Sequence, residues 1–176
     1  MCGTADALRS SFGDLWVVGV DTHGSVLFGQ PDRPGRLLRG LGNSLLPSNV
    51  DQSTFDEVHW ISAADAFKAS QELYRRYALF MGPTSGAAWL VANWWAQRNP
   101  DAVVVTMLPD EGHRYQNTVY NPDWISAQSL SRPHLPDGPR MVDDPLFVEE
   151  VWARLLWRRR SLRDVLAERA GGSRVA

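Results

Sequence analysis

Apolar residues follow three different rhythms along this chain. Residues 15–21, Leu-Trp-Val-Val-Gly-Val-Asp, form a continuous valine-rich run that ends in Asp21 and predicts a buried parallel strand. Residues 56–62, Asp-Glu-Val-His-Trp-Ile-Ser, predict a second short strand, and Ser62 stands where a helix N-cap belongs. The rhythm then changes. Ala63, Ala66, Phe67, Ser70, Leu73, Tyr74 and Tyr77 recur at three-and-four spacing, which predicts an amphipathic helix. Its other face carries Lys68, Gln71, Glu72, Arg75 and Arg76, and Glu72 is spaced to pair with Lys68 and Arg76.

A third strand is predicted over 78–82 and a fourth over 102–108, Ala-Val-Val-Val-Thr-Met-Leu. Between them, residues 84–98 are apolar nearly all round (Ala87, Ala88, Leu90, Val91, Trp94, Trp95), the signature of a buried helix. Residues 22–55 are rich in Gly, Pro, Ser and Asn and predict a long irregular segment; residues 109–124 are polar and turn-rich. Further on, 126–143 read as a surface linker and 144–170 as a helical extension. In that extension Asp144 caps and Pro145 opens a helix with the stripe Val148, Val151, Trp152, Leu155 and Leu156. Ser161 and Asp164 are spaced to cap a final short helix, and the tail from Gly171 is expected to fray. The alternation of strands and helices predicts an α/β fold: a mostly parallel sheet of about four strands with helices on both faces, formed mainly by residues 1–125.

Composition narrows the function. The chain has 176 residues, 44 % hydrophobic and 22 % charged, with a formal net charge of −2, which favours neither a nucleic-acid partner nor an anionic membrane. No apolar run approaches the roughly 20 residues of a membrane helix, and the N-terminus has no signal-peptide pattern, so a cytoplasmic protein is expected. Cys2 is the single cysteine, which excludes a disulfide framework; His23, His59, His113 and His134 are scattered without metal-ligand spacing. One lysine, Lys68, stands against seventeen arginines.

The candidate chemistry centres on residues 82–86, Gly-Pro-Thr-Ser-Gly, where a strand-like run meets the buried helix. Ligands of parallel sheets gather at the carboxyl ends of strands, and 109–112, Pro-Asp-Glu-Gly, falls at a similar position. A helix start presents unpaired N–H groups and a partial positive charge. Thr84 or Ser85 serves there either as an N-cap or as a neutral hydroxyl facing a ligand, for instance a ring nitrogen. Asp110 and Glu111 are adjacent in a turn, a poor arrangement for a carboxylate pair.

The order Gly-Pro-Thr-Ser-Gly-Ala-Ala, buried helix, apolar strand, then Leu-Pro-Asp-Glu-Gly-His-Arg-Tyr (108–115) resembles the C-terminal half of the cysteine synthase family, pyridoxal-phosphate (PLP) enzymes of fold type II. Arg36-Leu-Leu-Arg-Gly-Leu-Gly42 resembles the family's Gly-Ile-Gly loop, Phe55 to Val58 its Phe-Asp-Glu-Val strand, and Val17-Val-Gly-Val-Asp21 its Val-Val-Gly-Val-Glu strand. The resemblance runs from about residue 3 to about 120. It implies that Thr84, with Ser85 beside it, contacts the pyridine nitrogen, and that Gly40 and Gly42 line the substrate side. Met1-Cys2-Gly3-Thr4 stands at the end of the family's glycine-rich phosphate loop, matching at Gly3 and Thr4, so Cys2, Gly3 and Thr4 become candidates at the phosphate.

The lysine that binds PLP covalently lies in the family's N-terminal half, for which this sequence has no counterpart. Lys68, on the polar face of an amphipathic helix beside Glu72, is expected to be a surface residue rather than a buried cofactor lysine. The resemblance implies PLP, an amino-acid substrate and β-replacement on an activated serine of the O-acetylserine or O-phosphoserine class. The missing half would be supplied by a separate subunit, in a homo- or hetero-dimer, or by a longer gene. The alternative is a non-catalytic remnant that binds or regulates partners. An unrelated small α/β binding domain is the third reading.

Overall fold

The computed structural model describes residues 1–148 and 150–172. A four-stranded sheet in the order β1-β2-β4-β3 forms the centre. β1 (Val18–Thr22) and β2 (Glu57–Ile61) pair in parallel, with Val18 opposite Glu57 and Thr22 opposite Ile61. β4 (Ala153–Leu155) runs antiparallel to β2, and β3 (Arg140–Met141) parallel to β4. The sheet is therefore mostly parallel, as the alternation of elements predicts.

Two apolar layers sandwich it. Val58 and Trp60 of β2 join Ala153, Leu155 and Trp157 on one face, beneath Ala5 of α1 (Cys2–Arg9) and Val165 of α5 (Leu162–Gly172). Ile61 looks to the other face, where α2 (Ala63–Tyr77) and α3 (Pro83–Arg98) pack closely together over Phe67, Leu73, Leu90 and Val91. The start of α2 follows the sequence: the Ser62 side chain accepts from the Asp65 amide at 3.1 Å. At its end Tyr74 and Tyr77 stay exposed, Tyr74 tilted against Phe80 and Tyr77 edge-on against Trp89. At α5, Ser161 and Asp164 cap each other's amides, at 3.1 and 3.3 Å.

His59 ties α3 to the sheet, its ring meeting that of Trp94 at 5.5 Å. It is fully buried, and its Nδ1 accepts from Trp152 Nε1 at 2.9 Å, so the ring is neutral and Nε2 donates to Glu57 Oε1 at 2.7 Å. Burial holds the imidazole below its usual range. Burial also pushes the Glu57 carboxyl up, but the His59 and Arg154 contacts outweigh it and leave it below the usual range.

Three expectations are corrected. Residues 78–82 and 102–108, expected as strands, lie outside the sheet, and Ala78, at φ 56°, closes α2 in the left-handed region instead. The first makes one isolated bridge, Met81 to Glu111, and the second makes none among the described residues. Both have strand-forming composition, yet no neighbouring strand offers a ladder. The third correction concerns the C-terminal region. Residue 144 caps a short 3₁₀ turn (Pro145–Phe147) through Leu146, and the expected helix is replaced by β4. Trp152, Leu155 and Leu156 fit a helical stripe, but Ala153, Leu155 and Trp157 also alternate at strand period. The free edge of β2 selects the strand. β3 likewise comes from the segment expected as linker. The expected fraying of the tail from Gly171 concerns residues of which 173–176 lie outside the described residues, while Gly171 and Gly172 close α5. Among the described residues, no helix is long and apolar enough to cross a membrane.

Candidate functional site

Pro83 occupies the first position of α3, which moves Thr84 and Ser85 into the first turn, past the N-cap. Gly82, at the N-cap, has no side chain to satisfy the free N–H groups. Asp110 does so from 25 residues away. Its carboxylate accepts from the Thr84 amide at 3.2 Å and the Ser85 amide at 2.8 Å. The Ser85 hydroxyl sits 2.6 Å from Asp110 Oδ1 and 3.0 Å from Asp110 O, and accepts from the Asp110 amide at 3.2 Å. A carboxylate at a helix N-terminus also complements the helix dipole. Gly82 leaves room for this clamp: a Cβ there would collide with Asp110 and Tyr115.

The clamp separates the two hydroxyls. Ser85 is fully buried, and its hydroxyl is engaged by Asp110. Thr84 is half-buried, and its hydroxyl makes no hydrogen bond among the described residues. It faces the loop from Arg36 to Gly42: a Cβ on Gly40 would lie 2.9 Å from Thr84 Oγ1. Leu38 and Leu41 pin that loop into the core beside α2 and α3. Gly42, at φ +77°, presses on the end of β1, and a Cβ there would meet Asp21 Oδ1 at 2.7 Å and Ser25 Oγ at 2.8 Å. Burial pushes the Asp21 carboxyl up to about 7, despite the Thr22 amide and Ser25 hydroxyl that bond it.

The structure thus brings Thr84, Gly40 and Gly42 together at the carboxyl end of β1. Cys2, Gly3 and Thr4 open α1, and Cys2 belongs to the apolar layer on the opposite face of the sheet from α3. Its thiol donates to the Asp51 carbonyl at 3.6 Å, and no hydrogen bond joins these residues to Thr84 among the described residues. Lys68 lies 3.2 Å from Glu72, which also binds Arg75 and Arg76, so the expected pairs form with one more partner.

Sequence reasoning weighed Asp110 only beside Glu111 in a turn and missed its contact with the start of α3. Its signal was present: Pro83 at the helix start leaves two part-buried amides without a local acceptor, and an Asp follows the next apolar run. Tyr120 closes the same corner by donating to the Met81 carbonyl at 2.5 Å, and burial pushes its hydroxyl up to about 12.

These features define the class: an α/β unit with the architecture of fold type II PLP enzymes, carrying a helix-start hydroxyl against a glycine loop. No family model matches the chain. In sequence it is related to the C-terminal part of cysteine synthase-like enzymes. It is 37 % identical over 134 residues to the N-(2-amino-2-carboxyethyl)-L-glutamate synthase of Cupriavidus metallidurans, covering 74 % of this chain and 39 % of that protein. It is 34 % identical over 117 residues to a probable cysteine synthase of Bacillus subtilis, covering 66 % and 38 %. In structure it is similar to the cysteine synthase of Entamoeba histolytica, with a TM-score of 0.63 and 25 % identity over 73 % of this chain and 40 % of the other. The O-acetylserine dependent cystathionine beta-synthase of Helicobacter pylori gives a TM-score of 0.58 and 31 % identity, over 66 % and 38 %. The chain therefore spans about two fifths of the length of the relatives it matches.

Proposed function

We propose that these residues form the C-terminal part of a cysteine synthase-like, PLP-dependent enzyme that performs β-replacement on an activated serine of the O-acetylserine or O-phosphoserine class. The observation that supports this best is the Thr84 hydroxyl, fixed by the Asp110 clamp at a helix start and facing Gly40.

The residues present fit one end of PLP. A neutral hydroxyl at a helix N-terminus suits a pyridine nitrogen, because it bonds the ring without supplying the charge that would protonate it. Gly40 keeps the neighbouring space clear. Gly3 opens α1 with nothing within 4 Å of its Cβ position, but the sheet separates it from Thr84, so in this arrangement the start of α1 does not cradle the phosphate of a cofactor held at Thr84. The aldehyde end has no fitting residue: Lys68 is engaged by Glu72. PLP, when bound, supplies the electron sink that lets a group leave the β-carbon of the substrate. This chain's own part is to orient the ring through Thr84, to shape the substrate side through Gly40 and Gly42, and to exclude water with Leu38 and Leu41. The lysine and the phosphate cradle come, in this reading, from a segment outside these 176 residues. A non-catalytic remnant that binds partners is the second reading, favoured by the Lys68–Glu72 pairing.

Borohydride trapping tests both. The chain is incubated with PLP, reduced, and its intact mass read, with and without the unmatched N-terminal portion of the Cupriavidus metallidurans relative. The enzyme reading expects a PLP adduct on the added portion and none on Lys68, with Thr84→Val weakening PLP retention and Lys68→Ala leaving it unchanged. Absence of any adduct under both conditions, with the chain folded, supports the remnant.

A further inference from the structure

A cleft of about 520 Å³ opens at the amino end of β1, away from Thr84. It is lined by Asp14 and Trp16 from just before β1, by Trp95 and Arg98 from the last turns of α3, and by Leu156 from just after β4. That volume falls within the roughly 300–1,000 Å³ of small-molecule sites. The charges at the cleft divide into two sets. Glu57 and Arg154 are paired with each other at 3.2 Å, and Glu57 is bonded again by His59 at 2.7 Å. Asp14 and Arg98 are exposed, and among the described residues neither makes an ion pair or a hydrogen bond. Arg98 is held all the same. Its guanidinium lies 4.4 Å from the centroid of the Trp94 ring, which Arg154 also meets at 5.1 Å. Trp94 is buried, and Gly138 packs against it closely enough that a Cβ there would meet Nε1 at 2.7 Å. A guanidinium stacked on an aromatic face keeps its N–H edge available for a carboxylate.

We propose that this cleft is a second ligand site, for a free amino acid with a flat apolar side chain: Arg98 takes the carboxylate, Asp14 the ammonium, and Trp16, Trp95 and Leu156 the side chain. The inference goes beyond the function proposed above and needs no part of it. The unpaired charges select the ligand class. A simple anion would gain Arg98 but meet repulsion from Asp14, and a simple cation would meet the reverse. An uncharged apolar molecule would bury both charges without a partner. A free amino acid carries one charge of each sign on neighbouring atoms, so it satisfies both residues at once. The aromatic wall selects the side chain. Trp16 is 45 % exposed, and a flat ring laid against it removes apolar surface from water on both partners. The Glu57–Arg154 pair stays out of the recognition, because its charges already compensate each other. α3, sixteen residues and about 24 Å long, runs from Thr84 to this cleft, so the two sites share no side chain.

Isothermal titration of the 176-residue chain with L-phenylalanine, 3-phenylpropionate and 2-phenylethylamine tests this. L-Phenylalanine is expected to bind one to one, and the two analogues, each lacking one of its charges, at least about tenfold more weakly. Arg98→Gln and Asp14→Asn are each expected to weaken L-phenylalanine by about tenfold or more. Both positions are exposed, so the circular dichroism of the folded chain is expected to stay as it is. Asp14→Asn is expected not to weaken 3-phenylpropionate, which has no ammonium to lose. Thr84→Val is expected to leave L-phenylalanine binding unchanged. No saturable binding of L-phenylalanine up to about 10 mM overturns the proposal. So does binding of either analogue as tight as that of L-phenylalanine, or binding indifferent to both cleft variants. Binding lost with Thr84→Val places the ligand at the first site and overturns it as well.

Discussion

β2 and residues 102–108 have nearly the same credentials and opposite fates. Each is a short apolar run after a turn, and each is rich in residues that favour strands. β2 has β1 on one side and β4 on the other, and all five of its residues are buried. Among the described residues, 102–108 have no strand beside them, and they expose three large apolar side chains. The difference teaches that strand propensity expresses a fit to neighbours. Backbone N–H and C=O groups need a ladder, and one segment cannot supply its own. The same rule explains β4, where a sequence with helical spacing became a strand because β2 had an open edge.

The comparison breaks most visibly at Trp60. It is fully buried at the centre of β2, and Trp60→Ala is expected to cost about 3–5 kcal/mol, read from urea unfolding. A loss under about 1 kcal/mol would mean that the two segments are less different than their burial says.

The next effect concerns pH at the closed end of β1. Asp21 is raised from its usual 3.8 to about 7 by burial. The folded protein keeps this proton where the unfolded chain has lost it. The Asp21 contribution to stability therefore falls as pH rises from about 4 to about 7, by up to about 1.4 kcal/mol per pH unit, while His59 and His23, held below their usual 6.5 by burial, contribute in the opposite sense over part of the same window. Asp21→Asn is expected to flatten that slope. Glu72 does not overlap: its bonds to Arg75, Lys68 and Arg76 hold it at about 2, so its contribution is lost only as pH falls below its usual 4.5. A dependence on pH between about 4 and about 7 that is the same in the native chain and in Asp21→Asn would contradict the buried, protonated Asp21.

Asp110→Ala comes third. It strips the acceptor from two helix-start amides and the Ser85 hydroxyl, and is expected to cost about 1–2 kcal/mol with an unchanged dependence on urea. The smallest effect sharpens the comparison from the other side. Val105→Ala is expected to change the stability of the chain by less than about 0.5 kcal/mol. A cost near that of a core valine would show that Val105 is covered in solution.

How much of this was legible in advance can be judged residue by residue. β1, β2, α2 and α3 follow from local signals that act within one turn or one strand: valine runs, the Ser62 cap, three-and-four spacing, and Pro83 at a helix start. Glu72 and its partners follow from the same helical geometry. At the site, the sequence pointed to Thr84, Ser85, Gly40 and Gly42. The fold then divided the two hydroxyls, burying Ser85 and leaving Thr84 toward Gly40. That division depends on Asp110, which is remote in sequence and adjacent in space. The separation of Cys2, Gly3 and Thr4 from Thr84 by the sheet depends equally on long-range packing.

The sequence by itself determined the α/β class and the main helices, because backbone stereochemistry and side-chain periodicity are properties of neighbours along the chain; the grouping of Thr84 with Gly40 and Gly42 was implied only by the resemblance to the cysteine synthase family. The tertiary structure alone decided which apolar runs became strands, which hydroxyl faced outward and which carboxylate closed the helix. Each of those outcomes needs a partner group from elsewhere in the chain, and a hydrogen-bond ladder or a buried proton exists only once that partner has arrived.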